Sequence, residues 1–238
     1  PAGGVITGGF SYFSTDDGRA TIKTGGGGIN VNYTDDYVFT MNGGSVWGNK
    51  TTYYGAGIAV VSGTFILNGG AITGNSFYYA YDDNTQYVYG AGVALGEYVT
   101  FTMNGGRIAD NLFSKKFTFE NIVHKCSGTG AVYGAQGVKF TMNGGEITGN
   151  YFHNIVTGHN LTADFKPGAS FFMNGGRITG NGIYCWDKTT VGYITITRDY
   201  MYSDEWTAVD AVRVKTILSG DAYIYGNYYS ASKYQWGD

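Results

Sequence analysis

Apolar side chains recur at alternate positions in short bursts, and the same polar corner cuts each burst. In Phe39-Thr-Met-Asn-Gly-Gly-Ser-Val-Trp-Gly-Asn49, Phe39 and Met41 share one side of a period-two segment. The Asn42-Gly43-Gly44 corner interrupts it, and Val46 then points the same way between Ser45 and Trp47. Four further copies run Phe65–Asn75, Phe101–Asn111, Phe140–Asn150 and Phe171–Asn181. The shared form is F-x-[ML]-N-G-G-x-[VI]-x-[GD]-N. A degenerate copy runs from Ile217 to Asn227, and a partial one opens the chain at Gly3-Gly4-Val5-Ile6-Thr7-Gly8. A helix is excluded, because Gly-Gly inside each of the five close copies costs about 1 kcal/mol per glycine.

The middle asparagines of the copies stand at 42, 68, 104, 143 and 174, so the phrase is constant while its spacing varies. A coil with insertions of variable length behaves this way. A weaker phrase precedes each strong one: Gly55-Ala-Gly-Ile-Ala-Val60, Gly90-Ala-Gly-Val-Ala-Leu95 and, more loosely, Gly134-Ala-Gln-Gly-Val138, with Gly25–Val31 as an earlier version. Each rung is then expected to hold three strands. Stacked about 4.8 Å apart, equivalent residues form columns. One is Phe39, Phe65, Phe101, Phe140 and Phe171; another is Met41, Leu67, Met103, Met142 and Met173. A third is Val46, Ile72, Ile108, Ile147, Ile178 and Ile224, and a fourth is Asn49, Asn75, Asn111, Asn150, Asn181 and Asn227. The asparagines read as structural, since Asn bonds nearby main chain and stacked amides bond one another. The expected fold is all-β, a single-stranded right-handed parallel β-helix of about seven rungs with insertions on one edge. It forms one domain over residues 1–238, with a regular core at about 25–181 and an irregular C-terminal rung and tail at 182–238.

The phrase resembles the repeats of right-handed parallel β-helix proteins of bacterial surfaces. It is similar to adhesin-like repeats of gut Gram-positive bacteria and spirochaetes. It is similar also to the paired FxxN and GGA-I motifs of chlamydial polymorphic outer-membrane proteins, which Phe65-Ile-Leu-Asn68 and Gly69-Gly70-Ala71-Ile72 match. The resemblance covers about residues 3–227 and implies a fold rather than an activity.

Composition agrees with an external β protein. Glycine supplies 40 of 238 residues, and charged residues are only 14%, against about 25% in ordinary soluble domains. The net charge is −3 and no basic stripe occurs, so a nucleic-acid partner is not expected. Residues 55–74 carry no charge but are rich in Gly, Thr and Asn, so no membrane insertion is expected either. No signal peptide is visible at Pro1-Ala2-Gly3-Gly4, which fits a removed leader or one section of a longer chain.

The insertions are placed at about 50–54, 76–89, 112–129, 151–168 and 182–216, all leaving the Gly-Asn corner toward one edge. They are rich in aromatics. Tyr53, Tyr54, Tyr78, Tyr79, Tyr81, Tyr87, Tyr89, Tyr184 and Trp186 are candidate binding or interface residues, because Tyr and Trp combine flat contact area with a polar handle. They fit glycan stacking or a protein interface, or else packing on one another. Cys126 and Cys185 also fall in insertions and allow one disulfide or two free thiols. A bridge across so long a loop is worth about 4 kcal/mol on the chain-entropy model. It would favour an oxidising exterior.

Some β-helix proteins degrade polysaccharides with paired carboxylates and a basic group. The pairs Asp16-Asp17, Asp35-Asp36 and Asp82-Asp83 lie in loop-like stretches. Asp82-Asp83, Gly158-His159-Asn160 and Arg213-Val214-Lys215 only partly imitate the polygalacturonase motifs. His124, His153 and His159 are scattered, and no metal or cofactor is expected. The expected role is therefore a secreted or cell-surface structural, adhesin-like solenoid that stacks with copies of itself or with flanking repeats. A self-assembling fibre subunit is one form of it. The rival readings are a carbohydrate-binding module that takes a glycan or a host surface protein on its aromatic edge, and a polysaccharide lyase or hydrolase.

Overall fold

A computed structural model describes residues 4–11, 25–32, 37–77, 87–113, 127–150, 153–159, 169–184, 215–225 and 228–230. These residues form strands and turns only, and every strand pairing is parallel. The chain is a parallel β-helix. Strands Val5–Thr7, Ser45–Trp47, Ala71–Thr73, Arg107–Ala109 and Glu146–Thr148 stack in chain order, followed by the later halves of Ser170–Thr179 and Lys215–Tyr225. That is seven levels of the Val/Ile face.

The neighbouring face carries the Phe and Met columns. Its strands are Val38–Met41, Thr64–Leu67, Thr100–Met103, Lys139–Met142 and the first halves of the two long strands. Register is strict: Phe39 pairs with Phe65, Phe65 with Phe101, Phe101 with Phe140, and Phe140 with Phe171. Ring centroids of successive phenylalanines lie 4.5 to 5.1 Å apart. Four of the five phenylalanines, Phe65 to Phe171, are fully buried, as are Leu67, Met103, Met142 and Met173. Each such side chain contributes about 1.5–3 kcal/mol relative to exposure. A single rung offers no partner for these residues, so the burial comes from the levels above and below.

The third face is the Gly-Ala-Gly face, with Ile29–Val31, Ile58–Val60, Val93–Leu95 and part of Ser127–Ala135 in register. Gly25–Val31 takes its expected place, Ile29 against Ile58. The counterpart of Val93 differs from expectation: it is Val132, within Thr129-Gly130-Ala131-Val132, and not Val138. A chain this dense in glycine offers several registers, and the apolar alternation at Val132 wins.

The rung also has a fourth, short face that the three-strand reading lacks. Phe10–Ser11, Lys50–Thr51, Ser76–Phe77 and Leu112–Phe113 pair in parallel directly after the corner. The insertions therefore start beyond these strands rather than at the corner. Residues 50–54 are no insertion: Thr51, Thr52 and Tyr54 are buried, and the chain runs straight into the next rung. Phe77, within the expected 76–89 insertion, is buried against Ala91. In the last rung the phrase is one residue longer than expected. Thr216 lies opposite Phe171 and Ile217 opposite Phe172, and a register shift passes before Asp221 meets Gly175. Ile224 still joins the isoleucine column against Ile178.

Candidate functional site

The most ordered polar constellation is a pair of asparagine files running along the axis. The inner file begins where the Val/Ile strand turns into the short fourth face. Asn49, Asn75, Asn111, Asn150 and Asn181 are buried there. Nδ2 of Asn49, Asn75, Asn111 and Asn150 donates to Oδ1 of the asparagine in the following rung, at 3.0, 3.0, 3.0 and 2.9 Å. The same Oδ1 also accepts the backbone N–H of the preceding asparagine, at 2.9 to 3.1 Å. Nδ2 of Asn75, Asn111, Asn150 and Asn181 further donates to the carbonyl of Val46, Ile72, Ile108 and Ile147. Buried amides with this many partners are fully compensated for leaving water. The file explains the Gly-Ala-Gly phrase: a Cβ on Gly57 would stand 2.9 Å from Asn75 Nδ2 and 2.5 Å from Gly92 O.

At the lower end Gly9 occupies the asparagine place, and its N–H donates to Asn49 Oδ1 at 2.9 Å. Asn227, the expected last member, lies outside the described residues.

The outer file is the Asn-Gly-Gly corner, Asn42, Asn68, Asn104, Asn143 and Asn174, all exposed. Here the sense is reversed: Nδ2 of Asn68, Asn104, Asn143 and Asn174 donates to Oδ1 of the asparagine in the preceding rung, at 2.8, 2.8, 2.8 and 2.9 Å. Ser219 ends the file by donating to Asn174 Oδ1 at 3.0 Å.

The aromatic edge is rearranged relative to expectation. Tyr54 and Tyr89 are buried, with ring centroids 5.1 Å apart, and Tyr133 stands 4.6 Å from Tyr89. With Ala94 they form a second small core, against which Tyr53 packs half-buried. Tyr54 and Tyr89 are therefore corrected from candidate contact residues to structural ones. Burial pushes the Tyr54 phenol above its ordinary range, with a smaller contribution from Tyr53. Tyr133 is pushed up in the same direction, first by burial and then by Tyr54, Tyr89 and Glu97.

Of the other candidates, Tyr87 lies in the strand Tyr87–Val88 and Tyr184 in Gly182–Tyr184. Tyr78, Tyr79, Tyr81, Trp186, Cys126 and Cys185 lie outside the described residues, as do the paired aspartates and His124. His153 and His159 bound one strand, His153–His159, and Lys215 opens another. Among the described residues no group of three His, Cys, Asp or Glu could hold a metal ion. The exposed pairs Arg107–Asp110 at 3.7 Å and Arg177–Glu146 at 3.8 Å decorate the outer surface and add little stability.

Large apolar side chains surface mainly at the two ends of the stack. Ile6 is 42% exposed although Val46 in the next rung is 2% exposed, and Leu218 is 53% exposed although Met173 beneath it is fully buried. Val5, Phe10, Tyr37 and Val38 at one end, and Ile217, Tyr223 and Tyr225 at the other, are exposed too. Ile6 and Leu218 stand in inward columns and are exposed by their place in the end rungs. Val5, Phe10, Val38, Ile217, Tyr223 and Tyr225 instead lie opposite Ser45, Lys50, Thr64, Phe172, Arg177 and Thr179, outward positions that are exposed or half-buried in the inner rungs too.

Comparison with protein-family models, curated proteins and solved structures finds no match to this chain.

Proposed function

We propose that this chain is part of a secreted or cell-surface β-solenoid with a structural, adhesin-like role, acting as a stalk or fibre element that continues end to end. The observation that carries this reading is the apolar filling of the end rungs. Ile6 and Leu218 occupy positions whose equivalents one level inward are buried. One more rung of the same phrase on either end would bury them. The lower edge of Val5–Thr7 and the upper edge of Lys215–Tyr225 are also the complementary edges that pair inside the stack. A head-to-tail contact of this kind does not close on itself and extends into a rod. A surface made polar by Asn, Thr and backbone rather than by charge suits an external setting.

Sedimentation velocity and negative-stain imaging over a range of concentrations test the proposal. Rods that lengthen with concentration, and shorten to single units in Ile6→Lys or Leu218→Lys variants, are the expected result. Compact monomers at every concentration would overturn it.

A further inference from the structure

The outer corner stacks five Asn-Gly dipeptides: Asn42-Gly43, Asn68-Gly69, Asn104-Gly105, Asn143-Gly144 and Asn174-Gly175. All are followed by a second glycine, and all but the Leu67-Asn68 copy are preceded by Met, so their local sequences are nearly identical. An Asn-Gly pair carries two groups able to react with each other. One is the side-chain amide carbon. The other is the following backbone nitrogen, which glycine leaves unhindered because it has no Cβ.

In three rungs both groups are tied to the rung beneath. Nδ2 of Asn68, Asn104 and Asn143 donates at 2.8 Å to the preceding asparagine. The N–H of Gly69, Gly105 and Gly144 donates at 3.3 Å to the carbonyls of Met41, Leu67 and Met103. Asn42 differs. Its Oδ1 accepts from Asn68 Nδ2, but among the described residues neither its own Nδ2 nor the Gly43 N–H has an acceptor. Among the described residues, nothing stands within 4 Å of where a Gly43 Cβ would sit.

We propose that Asn42-Gly43 is a site of spontaneous deamidation, and that the ladder holds the same dipeptide inert in the rungs above it. Gly43 N attacks Asn42 Cγ, and the new C–N bond closes a succinimide ring. The Cγ–Nδ2 bond breaks, and the nitrogen leaves as ammonia with the proton from Gly43. Water then adds to either imide carbonyl, and ring opening leaves aspartate or isoaspartate at position 42. No oxidant or reductant takes part. The polarity of the file makes this rung the tolerant one. An aspartate at 42 still accepts from Asn68, whereas an aspartate at 68 loses the donor that Asn42 receives.

The test incubates the whole chain at mildly alkaline pH, folded and in urea. Peptide mass spectrometry follows the exchange of NH for O at each asparagine, and enzymatic methylation marks isoaspartate. In the folded protein Asn42 is expected to convert about tenfold or more faster than Asn68, Asn104 and Asn143, the effect of the two hydrogen bonds that no described residue supplies to it. In urea the four sites are expected to converge on one rate. Equal rates in the folded protein would overturn the proposal. So would a rate difference that survives in urea, or an Asn42 that stays intact when folded over a time that converts it in urea.

Discussion

Asn111 and Asn150, 39 residues apart in sequence, meet as one buried amide pair: Asn111 Nδ2 donates to Asn150 Oδ1 at 3.0 Å, and the Asn111 backbone N–H shares that oxygen at 3.1 Å. Asn111 in turn accepts both donors of Asn75 and reaches the Ile72 carbonyl. Replacing it with Ala strips partners from three buried residues at once. Asn111→Ala is expected to cost about 3 kcal/mol in urea unfolding followed by circular dichroism. Asn111→Asp is expected to cost more, because a buried carboxylate faces the Ile72 and Asn150 oxygens with no donor to offer.

Phe101 tests the apolar column. It is fully buried between Phe65 at 4.7 Å and Phe140 at 4.5 Å. Phe101→Ala is expected to cost about 3–5 kcal/mol. Phe39, half-buried at the end of the same column, is expected to lose clearly less on the same change. Equal losses at the two positions would contradict a stack in which burial comes from neighbouring rungs.

High pH probes the tyrosine cluster. Tyr54 and Tyr133 hold their protons more tightly folded than unfolded, because burial disfavours the phenolate. Stability from this source is complete below the unfolded phenol pKa of about 10 and falls as pH rises past it toward the folded values. The expected slope is about 1.4 kcal/mol per pH unit for each tyrosine. The Tyr54→Phe, Tyr133→Phe double variant is expected to flatten the loss in alkaline unfolding curves.

Asp110 sits where Gly48, Gly74, Gly149 and Gly180 stand in other rungs, and like them it has a positive φ, 55°. Its side chain reaches from the rung beneath toward Gly149, where a Cβ would come within 2.4 Å of Asp110 Oδ1. Gly149→Ala is expected to destabilise by about 1–2 kcal/mol through backbone strain and this collision. Adding Asp110→Gly is expected to return only the collision part, which a double-mutant cycle measures.

The outer file supplies a polarity test. Asn42→Asp keeps the acceptor used by Asn68 and is expected to leave the midpoint of thermal unfolding within the noise of surface changes, about 0.5 kcal/mol. Asn68→Asp removes a donor and sets two oxygens against each other, and is expected to cost about 1 kcal/mol.

The repeated phrase was legible because strand alternation and the Asn-Gly-Gly corner are both local. Once Phe39 and Phe65 are known to stack, every other column follows. The short fourth face was not legible, since two residues such as Lys50–Thr51 are too few to show a period. Tyr54 and Tyr89 read as insertion aromatics because each immediately precedes a glycine turn. The signal that they are buried lay in the small outward residue of the next strand, with Ala59 and Ala94 both fully covered. The Val132 register was hidden by Ala131 standing where Gly57 and Gly92 lead their strands. The final rung was misaligned because its extra residue at the corner has no counterpart in the other copies.

The opposed senses of the two asparagine files bear on how far such a coil can grow. In an α-helix every added peptide lengthens a common dipole, and charge accumulates at the tips. Here each added rung contributes one amide aimed up the axis and one aimed down it. The strands lie across the axis and alternate their own polar groups. Axial polarisation therefore cancels rung by rung, and length carries no electrostatic penalty at the tips.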